Sequence, residues 1–468
     1  MKEADQKRCW KLHKWSQNNG AKLHPSLEIY YDDVTKFSLR VKNSVTDGVE
    51  PGFTAVTSNI SQTLSYINAL VDGPIRLPAG NHGQPQQPAA FPPRFMAGLP
   101  PFVIGRFFLI KEYLKGDDSF WWPYIATLPQ PEHVNSWALP AFWPEEDIEF
   151  LEATNAHVAC QEIQANVKHE YKQARKLLKE ANFQGWQDYT QMLYKWAFCI
   201  FTSRSFRPSL MLSQNSRNHI SALLPAGCEI DDFSILQPLF DLANHSMTSK
   251  YRWDIDSDPQ CCQLICEDGY QAGDQVYNNY GLKSNSELLL GYGFILPETP
   301  DLHNDYVHVR KRQPQAGEDA SAVGRPKDFL ISLRPMNHPS SVAGRARLFS
   351  AADERLLSLP GLSHFEPALI ADLAASVATP EEKELIGQWL AGDEDAVPES
   401  LGDVVDKIKG PLGGKLQFDY QKLKAAELDE ETGENQLQTP TNRNQELALE
   451  YRRQCEKVLV AALEALSE

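Results

Sequence analysis

Three short stretches carry side chains whose types and spacing could do chemistry. Residues 240–246 read FDLANHS, an apolar run with an acid at Asp241 that turns polar at Asn244, His245 and Ser246. Residues 278–294 read NNYGLKSNSELLLGYGF and hold two Tyr-Gly pairs, Tyr280-Gly281 and Tyr292-Gly293. Residues 201–206 read FTSRSF, with a single cation at Arg204. Taken alone, His245 reads as a hydrogen-bonded core histidine, and the tyrosines as packing residues with satisfied hydroxyls. The combination says more. An Asn-His step after an apolar segment offers backbone and side-chain polar groups in a turn. A glycine beside each tyrosine lets a ligand or another chain come close. Two tyrosine hydroxyls with little charge nearby could line a narrow apolar channel. Such a channel is a poor site for hydrolysis and suits the transfer of an uncharged group.

Other candidates fall away on chemistry. GPLGGKL at 410–416 is too short between Gly410 and Gly414 for a phosphate-binding loop, and Leu416 stands where Ser or Thr is required. Its glycines and proline predict a plain loop. No Gly-x-Gly-x-x-Gly follows a strand and no His-Glu-x-x-His occurs, so a dinucleotide fold and that zinc motif are unsupported. Cys261, Cys262 and Cys266 are not spaced as a Cys-x-x-Cys pair and alternate as in a strand. They read as buried structural cysteines, and no metal is expected.

The elements that must position these residues fall into four blocks. A short helix over the Trp10–Trp15 region ends at Asn19-Gly20, and strands follow at 27–31, 37–41 and 53–56. Eight prolines between 74 and 101 mark a loop. From Gly105 to Ala197 the apolar spacing turns helical, with one long helix opening at the acidic turn after Pro144. Strand character returns from Cys228 to Tyr280, including EIDDFSILQPLFDL, KYRWDID, CCQLICED and DQVYNNYG. A short helix then begins at a capping box, Ser284 with Glu287, and Gly291 and Gly293 limit its length. A hairpin (305–310 with 329–333) and helices complete the chain. The last helix repeats Leu447, Tyr451, Cys455, Leu459 and Leu463.

With 468 residues the chain is long enough for two or more domains. A formal charge of −17 argues against a nucleic-acid binder with a broad basic surface and suits a basic macromolecular substrate. Eight sparse cysteines point to a reducing compartment. The charged start is unlike a signal peptide, and no run of about eighteen apolar residues predicts a membrane span.

FDLANHS followed by VYNNYGLKSNSELLLGYGF resembles the signature of SET-domain methyltransferases. The Asn-Ser-Glu-Leu-Leu-Leu-x-Tyr-Gly-Phe block is similar to the branch of Rubisco large-subunit and ribosomal-protein lysine methyltransferases. FTSRSF resembles that branch's cofactor-binding helix end, and NGAKLH near the start and NRNQELALEYRRQ near the end extend the likeness. The resemblance implies an α+β fold: a knotted, β-rich SET domain over 1–300, with a proline-rich loop and helical insertion at 74–200. A mostly helical substrate-binding domain would fill 301–468. In this family the Asn-His segment threads beneath the loop that follows it.

The resemblance also implies the site. S-adenosyl-L-methionine would be held by Asn244 and His245 at its amino and adenine parts, with Asp241 supporting the turn and Arg204 reaching the carboxylate. Tyr280 would contact the cofactor and orient both its methyl and the incoming amine, and Tyr292 and Phe294 would wall the lysine channel. The implied activity is protein-lysine N-methylation of a basic, non-histone partner, a ribosomal protein fitting best. No nucleic acid or membrane contact is expected, and the compartment would be cytoplasmic or nuclear. Two alternatives stay open: the same fold acting on histidine, and a catalytically silent scaffold that binds protein. One departure stands out, since the family's glycine-rich first cofactor motif is matched here by the glycine-free TKFSLRV, Thr35 to Val41.

Overall fold

The computed structural model describes residues 3–76, 88–258, 260–311, 327–347, 349–428, 437 and 439–468. Part of the proline-rich stretch, 77–87, therefore lies outside the described residues. Two compact units emerge: Met1–Ala138 with Gln164–Gly281, and Leu139–Ile163 with Leu282–Glu468.

The first unit opens with a helix, Glu3–Asn18, and carries eleven of the described strands. They are β1 Lys22–Leu23, β2 Leu27–Asp32, β3 Lys36–Val41, β4 Phe53–Asn59, β5 Leu64–Ser65, β6 Ser205–Phe206, β7 Ile235–Leu236, β8 Asn244–His245, β9 Tyr251–Asp254, β10 Cys261–Cys266 and β11 Tyr277–Asn278. A four-stranded sheet runs β1-β4-β10-β9, a hairpin joins β2 to β3, β7 lies between β5 and β6, and β11 pairs with β8. Leu39, Val41, Val56 and Leu264 are fully buried by this arrangement. A bulge between Leu264 and Ile265 shifts the β4–β10 register, which locally increases twist.

The insertion contributes an aromatic core. Phe95, Phe107, Phe108, Trp121, Tyr124, Tyr194 and Trp196 are all buried. The helix Pro101–Lys115 passes so close to the start of the earlier helix Tyr66–Val71 that a Cβ at Gly105 would sit 3.1 Å from the Tyr66 nitrogen. Glycine is needed there for close approach rather than for its torsion freedom. Of the predicted strand EIDDFSILQPLFDL only Ile235–Leu236 pairs as β, and Phe240–Leu242 is a 3₁₀ turn. Leu239, at φ 69°, turns the chain out of the sheet.

In the second unit the long helix expected after Pro144 is broken. Glu145–Ile148 forms one turn, Glu149–Leu151 a 3₁₀ turn, and the helix resumes at Asn155–Glu180. Ala153 sits at φ 62° in the break. The Glu152 carbonyl freed there accepts from the Arg452 guanidinium at 2.5 Å, so a distant side chain replaces a helical hydrogen bond. GPLGGKL is likewise not a loop. It lies inside the helix Leu401–Ala425, with Pro411 internal. Val404, Val405, Ile408, Leu412 and Leu416 are buried on one face, and their burial outweighs about 3 kcal/mol of proline penalty. That helix packs on Arg443–Leu466, whose buried face includes Ala448, Tyr451, Cys455, Leu459 and Ala462. The hairpin is β12 Tyr306–Lys311 with β13 Lys327–Ser332.

His303 and Asp305 are both buried in this unit. Neither ring nitrogen of His303, nor Asp305 Oδ2, has a hydrogen-bond partner among the described residues. Burial pushes Asp305 up to about 6 and His303 down to about 4. The signs oppose. The unfolded Asp305 loses its proton near 4 and the folded one near 6, so its contribution is lost as pH rises across that window. His303 contributes stability above about 6.5 that is lost as pH falls towards 4. Asp305→Asn should therefore stabilise the chain above pH 6, by up to about 3 kcal/mol, and by nearly nothing near pH 4. Urea unfolding of both chains at several pH values measures this. A gain independent of pH would contradict the assignment.

Candidate active site

Parallel pairing of β8 with β11 places Tyr277 opposite Asn244 and Asn278 opposite His245. A parallel pair needs a crossover, and here the β9–β10 hairpin provides it. Ser246 N donates to Asn278 O at 2.9 Å, continuing the pair. Entry to β8 is strained at Leu239 (φ 69°), a non-glycine residue with a left-handed φ. The following turn buries Phe240, Asp241 and Leu242.

Each polar residue is fixed by named partners. Asn244 Nδ2 donates to Ser38 Oγ and Gln275 Oε1, both at 2.7 Å. His245 Nδ1 accepts from the Tyr280 backbone N–H at 2.9 Å. A neutral imidazole that accepts at Nδ1 carries its proton on Nε2, which lies 3.0 Å from Met247 Sδ. The Tyr280 hydroxyl donates to Ala243 O at 3.2 Å. Its ring stacks on His245, with centroids 5.0 Å apart and planes 22° from parallel. Tyr280 is thus tied at both its backbone and its hydroxyl to the 243–245 segment.

Arg204 ends the helix Gln191–Arg204, where the helix dipole favours a cation. Its Nη1 lies 3.2 Å from Asp241 Oδ2, and Tyr124 Oη donates to that same oxygen at 2.9 Å. Burial pushes Asp241 up, and Arg204 with Tyr124 only partly restores its acidity. Burial works against the charge on Arg204, but Asp241 and the phenols of Tyr124 and Tyr280 outweigh it and raise its pKa. Asp241 Oδ1 is buried without a hydrogen-bond partner among the described residues. Phe206, Phe240 and Trp253 meet edge to face beside this group, at 5.4–5.6 Å. Phe206 also borders an open cleft of about 300 Å³ with Phe102, Phe233, Asp231 and Asp232.

The structure gathers Arg204, Asp241, Asn244, His245 and Tyr280 in the first unit. Tyr292 and Phe294 lie in the second unit, where Tyr292 ends the helix Asn285–Tyr292 and Gly293 caps it at φ 75°. Their rings are 6.2 Å apart, and burial pushes the Tyr292 hydroxyl up. Sequence reasoning missed Tyr124, Ser38 and Gln275. TKFSLRV was notable for its missing glycine, while its serine makes the contact. Cys261, Cys262 and Cys266 are buried in β10, with their thiols pushed up by burial. Among the described residues no cluster of His, Cys, Asp or Glu could hold a metal ion.

No family profile matches the chain. Individual relatives do. The ribosomal lysine N-methyltransferase set10 of Schizosaccharomyces pombe is 30% identical over 325 residues, 69% of this chain and 52% of the relative. The N-lysine methyltransferase setd6 of Xenopus laevis is 23% identical over 333 residues, 68% of this chain and 66% of the relative. The solved SET domain of LSMT bound to lysine and AdoHcy superposes with a TM-score of 0.63 at 15% identity, over 99% of this chain and 91% of that one. The chain is similar to these lysine methyltransferases. Its α+β fold is the SET-domain fold of the Rubisco LSMT structures, one of which, bound to AdoMet, matches with a TM-score of 0.61 at 16% identity over 100% of this chain and 92% of its own. The actin-histidine N-methyltransferase of Rattus norvegicus is 29% identical over 255 residues, 51% of this chain and 38% of the relative. The chain spans less than two thirds of the length of these curated relatives.

Proposed function

We propose that this chain transfers a methyl group from S-adenosyl-L-methionine to a lysine side chain of a protein. The observation that carries the reading is the double tie of Tyr280 to the Asn244–His245 segment. It holds one hydroxyl in a fixed place beside a cluster of polar side chains, which a methyl transfer needs more than it needs acid or base.

The pocket suits an amino-acid-bearing cofactor. Asp241 Oδ1 is a buried acceptor still lacking a donor, and a ligand ammonium group would satisfy it. Arg204 supplies the opposite charge for a carboxylate, and Asn244 and His245 supply the remaining polar edge. When bound, S-adenosyl-L-methionine would supply a methyl carbon on a cationic sulfur, open to an unprotonated amine, with the sulfur leaving as a neutral thioether. The chain's own task is to align the amine and keep it neutral. The aromatic group of Phe206, Phe240 and Trp253 adds apolar surface beside the site, and desolvation lowers a lysine pKa. The Tyr280 hydroxyl orients the methyl through weak C–H···O contacts, each small. Tyr292 and Phe294 form the wall of the lysine channel in this reading.

A basic protein substrate suits the charge of −17, and set10 is a ribosomal lysine methyltransferase by name. A ribosomal protein in the cytoplasm or nucleus is the proposed target. Among the described residues, no helix is long and apolar enough to cross a membrane. The likeness to actin-histidine methyltransferases favours one second reading, a histidine acceptor. Lysine- and histidine-bearing peptide pools, scored by mass spectrometry for the methylated residue, decide between the two.

Cofactor affinity tests the pocket. Asn244→Ala and His245→Ala should each weaken S-adenosyl-L-methionine binding by roughly 10- to 100-fold, the worth of one or two well-placed hydrogen bonds. Calorimetry on variants shown to be folded reads this directly. Unchanged affinity in both would remove the pocket assignment.

A further inference from the structure

Asn285, the first residue of the helix that ends at Tyr292, is tied to the backbone just beyond that helix. Its Oδ1 accepts from Leu296 N and its Nδ2 donates to Leu296 O, both at 2.8 Å. This pair closes the 293–295 segment, which carries Phe294, against the helix that carries Tyr292. A second amide comes from the helix Arg443–Leu466. Gln454 Oε1 accepts from Asn285 Nδ2 at 3.0 Å, and Gln454 Nε2 donates to Leu296 O at 3.3 Å. Asp305 Oδ1 stands 3.2 Å from the same Asn285 Nδ2.

The three side chains meet in a dry space, and the Leu296 backbone lies at its half-buried edge. Asn285, Asp305 and Gln454 are 1%, 2% and 9% exposed. Asn285 Nδ2 has two protons and three acceptors in reach: Leu296 O, Asp305 Oδ1 and Gln454 Oε1. Gln454 settles that competition by giving its own donor to Leu296 O. Without it Leu296 O loses one donor, and the Asn285 amide is free to turn towards Asp305. The half-buried Leu296 carbonyl, left with one donor fewer, no longer pins its segment to two helices. The segment that would move is the one bearing Phe294.

We propose that Gln454 is a positioning residue for the Tyr292–Phe294 pair and thereby sets how many methyl groups the target lysine receives. This rests on the reading of Tyr292 and Phe294 as the channel wall. A channel that admits the amine but crowds a methylated amine stops early, and one whose wall has shifted does not.

The test uses the full chain, S-adenosyl-L-methionine and a substrate peptide found in the peptide-pool assay. Gln454→Met keeps length and removes both hydrogen bonds. Gln454→Asn, one methylene shorter, is the milder change if the first folds poorly. Arg453→Ala, on the exposed side of the same helix, is the control. Loss of one net hydrogen bond predicts a change of about fivefold in the ratio of mono- to higher methylated product. Cofactor affinity should stay at the wild-type value, and hydrogen exchange at residues 293–296 should quicken. Wild-type product ratios and wild-type exchange in both folded Gln454 variants would overturn the inference. Tyr292→Phe separates the failures. If Tyr292→Phe shifts the ratio and Gln454→Met does not, the channel reading stands and the role of Gln454 is refuted. If neither shifts it, the channel reading fails and the inference fails with it.

Discussion

Tyr280→Phe should methylate substrate roughly 5- to 30-fold more slowly than the wild type, with little change in folding or cofactor affinity. The substitution removes one oxygen and keeps the ring that stacks on His245. The backbone tie to His245 Nδ1 also survives, so the pocket keeps its shape. What goes is the hydroxyl held on Ala243 O. Two C–H···O contacts of about 0.5–1 kcal/mol each, strengthened in the transition state, give that range of rate. Such a contact lowers turnover more than binding, because it matters most when the methyl is in flight. Single-turnover assays at saturating cofactor measure it. A wild-type rate would mean that the hydroxyl is only a structural tie.

Arg204→Ala should have the largest effect on stability. Arg204 and Asp241 are an ion pair at 3.2 Å whose side chains are 18% and 1% exposed. Removing the cation leaves a buried carboxylate with only Tyr124 Oη as donor, which typically costs about 3–5 kcal/mol at neutral pH. The deficit should shrink in acid, because Asp241, already pushed up by burial, then takes a proton and needs no cation. Adding Asp241→Asn to Arg204→Ala should recover most of the loss at neutral pH, for the same reason. Urea unfolding of the two variants across pH checks both statements. A pH-independent deficit that Asp241→Asn fails to relieve would show that packing, rather than charge, explains it.

Where local chemistry sets the structure, the sequence shows it. The Ser284–Glu287 capping box, the Gly293 cap and the β2, β3, β4 and β10 strands all lie where patterning predicts. The Asn244, His245 and Tyr280 cluster was also legible, through a resemblance rather than through periodicity. Features set by distant partners were not. Tyr124 meets Asp241 from 117 residues away, out of an aromatic insertion core, and no local pattern marks that tyrosine above its neighbours. The break at Ala153 depends on Arg452, 300 residues from the Glu152 carbonyl it serves. GPLGGKL failed in the opposite sense. Its glycines and proline were read correctly as poor helix formers, but an apolar face continuous through 404–416 overrode them.

The central claim is that the pocket around Tyr280 transfers methyl groups to a protein lysine. It is tested by incubating the full chain with S-adenosyl-L-methionine bearing a deuterated methyl and a mixture of ribosomal proteins, then sequencing the products by mass spectrometry. The account predicts deuterated methyl on a lysine nitrogen, in yield that falls steeply when Tyr280→Phe replaces the wild type. Label on histidine alone would contradict the lysine assignment. A folded chain that binds the cofactor and labels nothing in this mixture, or in whole-cell extract, would contradict the enzymatic account and leave a protein-binding scaffold.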